Sequence, residues 1–335
     1  MATDTSVQPS ARPRVLILRA LGLGDLLAGV PALRGIRRAF PGHETVLAAP
    51  AGLARVALAT GAVDTLFPTR APGREVPALD HWTGAAPEIA IDLHGNGPRS
   101  HDVLAALGPT RVLSFAVPEP SHPAPPRWLA DEHERLRWCR FLGAYGVHAD
   151  PDDLRLPAPE RPSPAPGAVV VHPGADSPAR RWPAGRYGAV AARLRATGRR
   201  VVVTGGPGEE NLCRIVAERA GLGGRDIFCG TLDFDGLSAL LAHAALFLSG
   251  DTGPAHLAVA LGIPSVTLFG PVSPARWGPP PTARHIALWH RGPPGDPHAA
   301  EPDPLLTRIT ADEVLAAALG LLAAEQDRSG AAAHG

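Results

Sequence analysis

The sequence contains no lysine, so arginine supplies all 32 of its basic residues. These balance 32 acidic residues, and a net charge of zero gives no overall field that would attract nucleic acid. Only three cysteines occur, Cys139, Cys213 and Cys229, without the close spacing of a zinc site or the even count of a disulfide framework. Long uninterrupted apolar runs are also missing, so we predict no transmembrane segment and expect a cytoplasmic protein.

Short apolar runs alternate with helical patterns along almost the whole chain. With 335 residues the chain exceeds the usual size of one hydrophobic core, which favours two domains. The alternation is typical of α/β proteins with parallel sheets and predicts two Rossmann-like halves. The predicted strands lie at 15–18, near 45, and at 89–93, 168–171, 200–204, 226–228, 245–248 and 265–268.

Two proline-rich stretches interrupt this alternation, at 114–128 and at 157–167. The second predicts a linker, because such composition disfavours both helix and sheet. We therefore predict an N-terminal domain over 14–156 and a C-terminal domain over 168–309. Disordered tails are predicted at 1–13 and at 326–335. Residues 310–325 are predicted to form a helix that begins with a Thr310–Glu313 capping box, and we expect this helix to pack back on the N-terminal domain.

One stretch, SGDTGPAHLAVALGIPSVTLFG at 249–270, indicates a binding loop. In this stretch an apolar strand leads into a helix. Asp251 or Thr252 can cap the helix, and Pro254 is well suited to its first turn. Backbone N–H groups without intrahelical partners and the positive end of the helix dipole point outward at such a site. This arrangement favours an anion, and a phosphate above all.

Four segments, at 14–40, 91–100, 169–187 and 249–279, together resemble glycosyltransferase family 9, the heptosyltransferases, in order and spacing. The resemblance implies a GT-B fold, in which two Rossmann-like domains with parallel sheets face an interdomain cleft. It also implies inverting, metal-independent transfer of a heptose-type sugar from a nucleotide donor, typically ADP-heptose, to an acceptor hydroxyl. The implied partners are this donor and a glycan, lipid-linked or small-molecule acceptor, usually the lipopolysaccharide core, with peripheral contact at the inner membrane face.

Two catalytic residues follow from the resemblance, Asp25 and Arg180. Asp25 matches the family's base, which accepts the acceptor's proton as its hydroxyl attacks the sugar. The alternative is an ordinary helix-capping aspartate. Arg180 stands where the family commonly has lysine and would stabilise the charge left on the departing diphosphate. Its neighbour Arg181 could exchange roles with it, and a solvent-facing arginine pair is the alternative.

Further site residues are carried over from the family. The donor contacts assigned in this way are Gly24, His172, Gly174, Ser177, Arg181, Gly205, Glu209, Glu210, Asp251, Thr252, Gly253 and His256. One of Glu209 and Glu210 is expected to bind the ribose, and the sequence does not choose between them. The expected acceptor contacts are Asp92, His94, Asn96 and Arg99, and acceptor choice is expected to lie in the loops around 70–85 and 116–130.

No metal or other cofactor is predicted. Asp233 and Asp235 form a DxD pattern, but we interpret Asp235 as the cap of an apolar helix. Two other functions are weighed against sugar transfer. A nicotinamide-dependent oxidoreductase would use Gly22 and Gly24, although the third glycine of a dinucleotide-binding motif is missing. A non-catalytic nucleotide-sugar-binding protein would keep the donor loops and lack turnover.

Overall fold

A computed structural model describes residues 12–115 and 126–332. The chain forms two compact units, Met1–Leu154 and Arg155–Gly335, so that the second unit begins just before the predicted linker. Most of the tail predicted at 1–13, and the middle of the proline-rich stretch at 114–128, lie outside the described residues. Most of the predicted acceptor loop at 116–130 is likewise outside them.

The first unit contains a parallel sheet of five strands in the order β3-β2-β1-β4-β5. The strands are β1 (Arg14–Leu18), β2 (Glu44–Ala49), β3 (Thr65–Pro68), β4 (Ile89–Asp92) and β5 (Arg111–Leu113). The helices are α1 (Leu23–Ala28), α2 (Val30–Ala39), α3 (Ala54–Ala59), α4 (Pro98–Ala105) and α5 (Glu134–Ala144). Every residue of β1, β2 and β4 is buried, as expected for parallel strands covered on both faces.

The second unit contains a parallel sheet of six strands in the order β11-β10-β9-β6-β7-β8. The strands are β6 (Val169–His172), β7 (Val201–Gly205), β8 (Ile227–Cys229), β9 (Leu246–Gly250), β10 (Ser265–Leu268) and β11 (His285–Leu288). The helices are α6 (Ala184–Ala196), α7 (Glu210–Ala220), α8 (Phe234–Ala242), α9 (Gly253–Leu261), α10 (Pro274–Trp277), α11 (Pro304–Arg308) and α12 (Ala311–Ala332).

Both sheets place their first and fourth strands side by side, β1 beside β4 and β6 beside β9. The chain runs outward in opposite directions from each pair, which makes a topological switch point at the carboxyl ends of the two strands. Ligands of open α/β sheets bind at this point, because neighbouring loops diverge there. The register pairs Leu18 with Asp92 and His172 with Ser249, so the predicted site residues lie at these two switch points.

The C-terminal helix α12 begins as predicted. The Glu313 carboxylate accepts the Thr310 N–H at 2.7 Å, and the Thr310 hydroxyl accepts the Glu313 N–H at 3.2 Å, which confirms the capping box. Apolar side chains of the helix lie in the core of the second unit. They are Val314, Leu315, Ala318, Leu321 and Leu322. Packing of this helix on the first unit stays a prediction.

The structure departs from two local predictions at helix ends. The helix continues to Ala332, where we predicted a disordered tail from residue 326; Glu325 pairs with both Arg284 and Arg328 and so supports the added turns. The cap of α8 is Asp233, whose carboxylate accepts the Gly236 N–H at 2.8 Å, and not Asp235 as predicted. Among the described residues, no helix is both long enough and apolar enough to cross a membrane.

Candidate functional site

The loop between β9 and α9 carries the stretch that indicated anion binding. Thr252 is the N-cap residue of α9, but its side chain makes no capping hydrogen bond, and Pro254 lies in the first turn. The helix therefore begins without a side-chain oxygen on its first N–H groups. Asp251 is buried, and its Oδ1 lies 3.7 Å from Nε2 of the half-buried His256. The ring of His256 in turn packs edge-on against Trp277, with centroids 5.9 Å apart.

The backbone of Arg180 lies against the end of β9, next to this loop. A Cβ on Gly250 would stand 2.8 Å from the Arg180 carbonyl oxygen, so the glycine allows the loop after β6 to lie against the end of β9. The Nε of Arg180 is buried without a hydrogen-bond partner. Within residues 12–115 and 126–332, the Arg180 side chain forms no ion pair or hydrogen bond at all, whereas its neighbour Arg181 donates from Nε to the Ala175 carbonyl at 2.8 Å.

Glu209 lies with His172 and Gly174. Its Oε2 accepts the Gly206 N–H at 2.7 Å and stands 3.8 Å from Nε2 of His172. A Cβ on Gly174 would stand 2.0 Å from Glu209 Oε1, so the carboxylate fills the space that this glycine leaves open. Burial lowers the pKa of His172, more strongly than the nearby Glu209 raises it. The imidazole is therefore neutral at physiological pH.

The neighbouring Glu210 faces solvent. Its carboxylate accepts the Gly208 N–H at 3.0 Å, and these backbone hydrogen bonds lower the pKa of Glu210. Gly205 lies close to two sulfur atoms, since a Cβ there would stand 2.6 Å from Cys213 Sγ and 3.0 Å from Cys229 Sγ. Ser177 is buried and begins the short 3₁₀ turn that leads to Arg180. These residues shape the loops around Glu209 and Arg180.

In the first unit, Asp25 lies in the first turn of α1 with Gly24 beside it. Its Oδ2 accepts the Gly22 N–H at 3.2 Å. Gly22 is the N-cap residue and Asp25 is the third residue of α1, so Asp25 is not the N-cap aspartate that the sequence left as the alternative. Arg74, which the sequence analysis did not identify, approaches the same carboxylate with both terminal nitrogens. Nη2 lies 3.1 Å from Oδ1, and Nη1 lies 3.4 Å from Oδ2. The carboxylate is nine-tenths buried, and the arginine is half exposed.

The four predicted acceptor residues divide into two groups. Asn96 and Arg99 are exposed at the carboxyl end of the sheet. Asp92 is fully buried and accepts hydrogen bonds from the Ser100 hydroxyl at 2.5 Å and from the His94 N–H at 2.9 Å. Burial raises the pKa of Asp92 to about 6, although the hydrogen bond from Ser100 opposes this shift. His94 is also buried, and both of its ring nitrogens contact backbone groups.

Two residues of the candidate site, one in each unit, were missed by the sequence analysis for different reasons. Arg74 lies in a loop without periodicity, 49 residues from Asp25, and nothing in its local sequence connects the two. Gly250 lies inside the stretch that we had singled out, and its glycine could have indicated a close backbone approach. In the part of the chain that the structure describes, no three His, Cys, Asp or Glu residues group so that they could hold a metal ion.

Solved structures share the fold of the two units. A glycosyl transferase of family 9 from Veillonella parvula superposes with a TM-score of 0.73 at 21% identity, covering 93% of this chain and 97% of its own. The ADP-heptose lipopolysaccharide heptosyltransferase II of Escherichia coli gives 0.71 at 20% identity, covering 93% and 99%. An iron-containing dodecameric glycosyltransferase of E. coli gives 0.62 at 16% identity, covering 96% and 78%. The two units therefore have the GT-B fold.

Sequence comparisons match parts of the chain to one family. The model of glycosyltransferase family 9 (heptosyltransferase) matches residues 151–302. Lipopolysaccharide heptosyltransferase 3 of E. coli is 34% identical over 113 residues, a stretch that spans 33% of this chain and 33% of that relative. The chain thus aligns with about a third of the length of this curated relative. In fold and in these stretches of sequence, the chain is therefore similar to glycosyltransferase family 9.

Proposed function

We propose that the protein transfers a heptose-type sugar from ADP-heptose to an acceptor hydroxyl, with inversion at the anomeric carbon and without a metal. The observation that carries this proposal is Arg180. Its guanidinium has no protein partner among the described residues, and its backbone lies against Gly250, beside the uncapped start of α9. A cation without a protein partner, carried on backbone next to free helical N–H groups, is suited to a diphosphate.

The chemistry assigned to the second unit is stabilisation of the leaving group. When the sugar–phosphate bond breaks, ADP gains negative charge at its terminal phosphate. The N–H groups at the start of α9 and the Arg180 guanidinium would bind this charge through hydrogen bonds that strengthen in the transition state. The buried Asp251 carboxylate would accept hydrogen bonds from sugar hydroxyls, since a second anion against the phosphate is unfavourable.

The chemistry assigned to the first unit is proton removal. As the acceptor oxygen attacks the anomeric carbon opposite the leaving ADP, its proton would pass to the Asp25 carboxylate. Asn96 and Arg99, exposed at the same end of the sheet, would contact the acceptor. The names of the relatives suggest lipopolysaccharide as acceptor, and another glycan, a lipid-linked sugar or a small metabolite fits the same chemistry. We propose a cytoplasmic enzyme that meets lipid-linked acceptors at the membrane surface.

The test is calorimetric titration of ADP-heptose into the purified protein in EDTA. We expect binding, weakened roughly tenfold or more in Arg180→Ala, because a charge-assisted hydrogen bond to phosphate is lost. The matched control is Arg193→Ala, which removes an exposed arginine that pairs with Asp312 on the surface of the same unit. Its affinity should equal that of the wild type.

Turnover is then followed as ADP release and as heptosylated product by mass spectrometry, with heptose-deficient lipopolysaccharide as the first acceptor. Product formed in EDTA supports metal-independent transfer, and activity restored only by added metal contradicts it. Binding without any product, across a panel of glycan and lipid-linked acceptors, would favour a nucleotide-sugar-binding protein. Binding of NAD in place of ADP-heptose would overturn the proposal.

A further inference from the structure

The contact between Arg74 and Asp25 is a two-point contact. Each terminal nitrogen of the guanidinium faces one carboxylate oxygen, at 3.1 and 3.4 Å. A planar fork that meets a planar carboxylate in this way fixes the rotation of the carboxylate as well as its position. The Gly22 N–H holds Oδ2 from the backbone side, so Arg74 determines the remaining freedom of the Asp25 side chain.

Arg74 itself lies on a loop that has few bonds of its own. Two hydrogen bonds lie within residues 69–78. The Glu75 N–H donates to the Pro72 carbonyl at 3.1 Å, and the Thr69 hydroxyl donates to the Ala78 carbonyl at 3.1 Å. Neither connects this loop to α1. Val76 and Leu79 pack on the core and hold the far end of the loop, but the Arg74 side chain is half exposed and would sample many rotamers. A further contact close to Arg74 is therefore needed to fix it relative to Asp25.

That connection is His94. Its Nδ1 accepts the N–H of Ala20, at the start of the β1–α1 loop that carries Asp25, at 3.2 Å. Its Nε2 lies 3.1 Å from the carbonyl oxygen of Glu75, the neighbour of Arg74. One neutral tautomer, with the proton on Nε2, satisfies both contacts at once. Burial lowers the pKa of His94, which keeps this neutral form at physiological pH.

The backbone of His94 is also held in place. The His94 N–H donates to Asp92 Oδ1 at 2.9 Å, and the Ser100 hydroxyl donates to Asp92 Oδ2 at 2.5 Å. His94 is therefore anchored to the end of β4, while its two ring nitrogens contact two separate loops. Because both nitrogens are used by the protein's own backbone, the imidazole has no polar atom left for an acceptor.

We propose that His94 is a positioning residue, which ties the Asp25 loop to the Arg74 loop and thereby sets the two-point contact that orients the Asp25 carboxylate. This replaces the acceptor-binding role that the resemblance implies for His94. It rests on the proposed function for its effect on turnover, but the tie between the loops is a property of the first unit and can be measured without any substrate.

One substitution separates the two ring contacts. In His94→Asn the amide oxygen can take the place of Nδ1 and keep the Ala20 contact, while the Glu75 contact is lost. Hydrogen–deuterium exchange should then become about tenfold faster at residues 70–78, since this part of the loop loses the hydrogen bond that His94 makes to the Glu75 carbonyl. His101→Asn is the matched control, because His101 contacts the Ser114 hydroxyl and neither loop. It should leave exchange at 70–78 unchanged.

Turnover of ADP-heptose with heptose-deficient lipopolysaccharide provides the second measurement. Arg74→Ala and His94→Asn should each lower kcat by about tenfold to a hundredfold, as expected for a misplaced catalytic group. The dissociation constant of ADP-heptose, bound by the second unit, should stay within about twofold, because neither change removes a donor contact. Arg74→Lys should not restore kcat, since one ammonium group cannot face both oxygens. The double variant should lose no more than the worse single one, because both changes act through one contact.

Unchanged exchange at 70–78 together with wild-type kcat in His94→Asn would overturn the proposal, and so would losses that multiply in the double variant. If the wild type transfers no sugar, the proposed function fails, and the exchange measurement alone decides whether His94 ties the two loops.

Discussion

The carboxylate of Glu209 occupies the space beside Gly174 in which any other residue would place its Cβ. That Cβ would stand 2.0 Å from Oε1, closer than two such atoms can approach. The glycine and the glutamate come from the loops after β6 and β7, 35 positions apart in the sequence. Their contact shows how one small residue in a binding loop determines where a functional side chain of another loop can lie.

Gly174→Ala should therefore displace Glu209 from the Gly206 N–H. We expect binding of ADP to weaken by about tenfold, with a loss of about 1–3 kcal/mol in the free energy of unfolding from overpacking. Calorimetry and urea denaturation measure the two effects. Gly223→Ala is the control, since a Cβ at Gly223 has open space around it. Equal ADP affinity in the two variants would contradict the prediction.

A second prediction chooses between Glu209 and Glu210. Glu209 is fixed by Gly206 and lies beside His172 and Gly174, whereas Glu210 points to solvent. Glu209→Gln should weaken ADP binding by about fivefold to tenfold, because a hydrogen bond to a charged group is replaced by one to a neutral group. Glu210→Gln should change it by less than about twofold. The reverse order of affinities would assign the ribose contact to Glu210.

The extent to which the sequence predicts this fold depends on the kind of signal. The strands at 15–18, 168–171 and 265–268 were predicted correctly because apolar, β-branched runs bounded by turn residues have few other structures available. The helical stretch after β1 is divided at Gly29 into α1 and α2, with Pro31 in the first turn of α2. Apolar runs, glycines and prolines are local signals, and most differences between the predicted and the observed elements are likewise local, at the ends of single helices.

The candidate site was predictable only as a set of loops. Parallel strands bring their carboxyl ends together, so the loops with Asp25, Arg180 and Asp251 could be expected at the switch points. The partners of those residues could not, because Arg74 reaches Asp25 through the tertiary fold. Neighbouring glutamates also look equivalent in sequence, and only their contacts in the folded chain, with Gly174, Gly206 and His172, distinguish Glu209 from Glu210.

A third prediction concerns the buried charges behind Asp25. The Arg19 side chain is fully buried and pairs with Glu134 at 3.1 Å, and Glu134 also accepts from Arg137 and from Trp138 Nε1. Glu134→Gln leaves two buried guanidinium groups without their shared carboxylate and should lower the free energy of unfolding by about 3–5 kcal/mol. Arg19→Met keeps the Glu134–Arg137 pair and should cost less. Urea denaturation of both variants decides, and a larger loss in Arg19→Met would contradict this account.

A fourth prediction concerns pH. Because burial raises the pKa of Asp92 from 3.8 to about 6, the folded protein holds this proton more tightly than the unfolded chain. The stabilising contribution is complete below about pH 4 and is lost as the pH rises through 6, which amounts to roughly 3 kcal/mol. Asp92→Asn cannot titrate.

The free energy of unfolding of the wild type, relative to that of Asp92→Asn, should therefore fall by roughly 3 kcal/mol between about pH 4 and pH 7. The lowered pKa of His94 acts in the opposite direction, but both proteins contain this histidine, so its effect largely cancels. Denaturation curves at one-unit intervals test this. A difference that does not vary with pH would mean that Asp92 titrates normally.

The helix α12 sets the shortest piece of the chain that can be produced as a separate fragment of the second unit, for which we propose nucleotide binding. Trp182 donates from its indole to the Ile309 carbonyl, and Val314 and Ala318 are wholly enclosed by the second unit. A fragment that stops at residue 309, the end of the predicted C-terminal domain, would have an open apolar groove and a tendency to aggregate. A fragment for ligand screening or spectroscopy should therefore begin near Arg155 and keep the helix at least through Arg328.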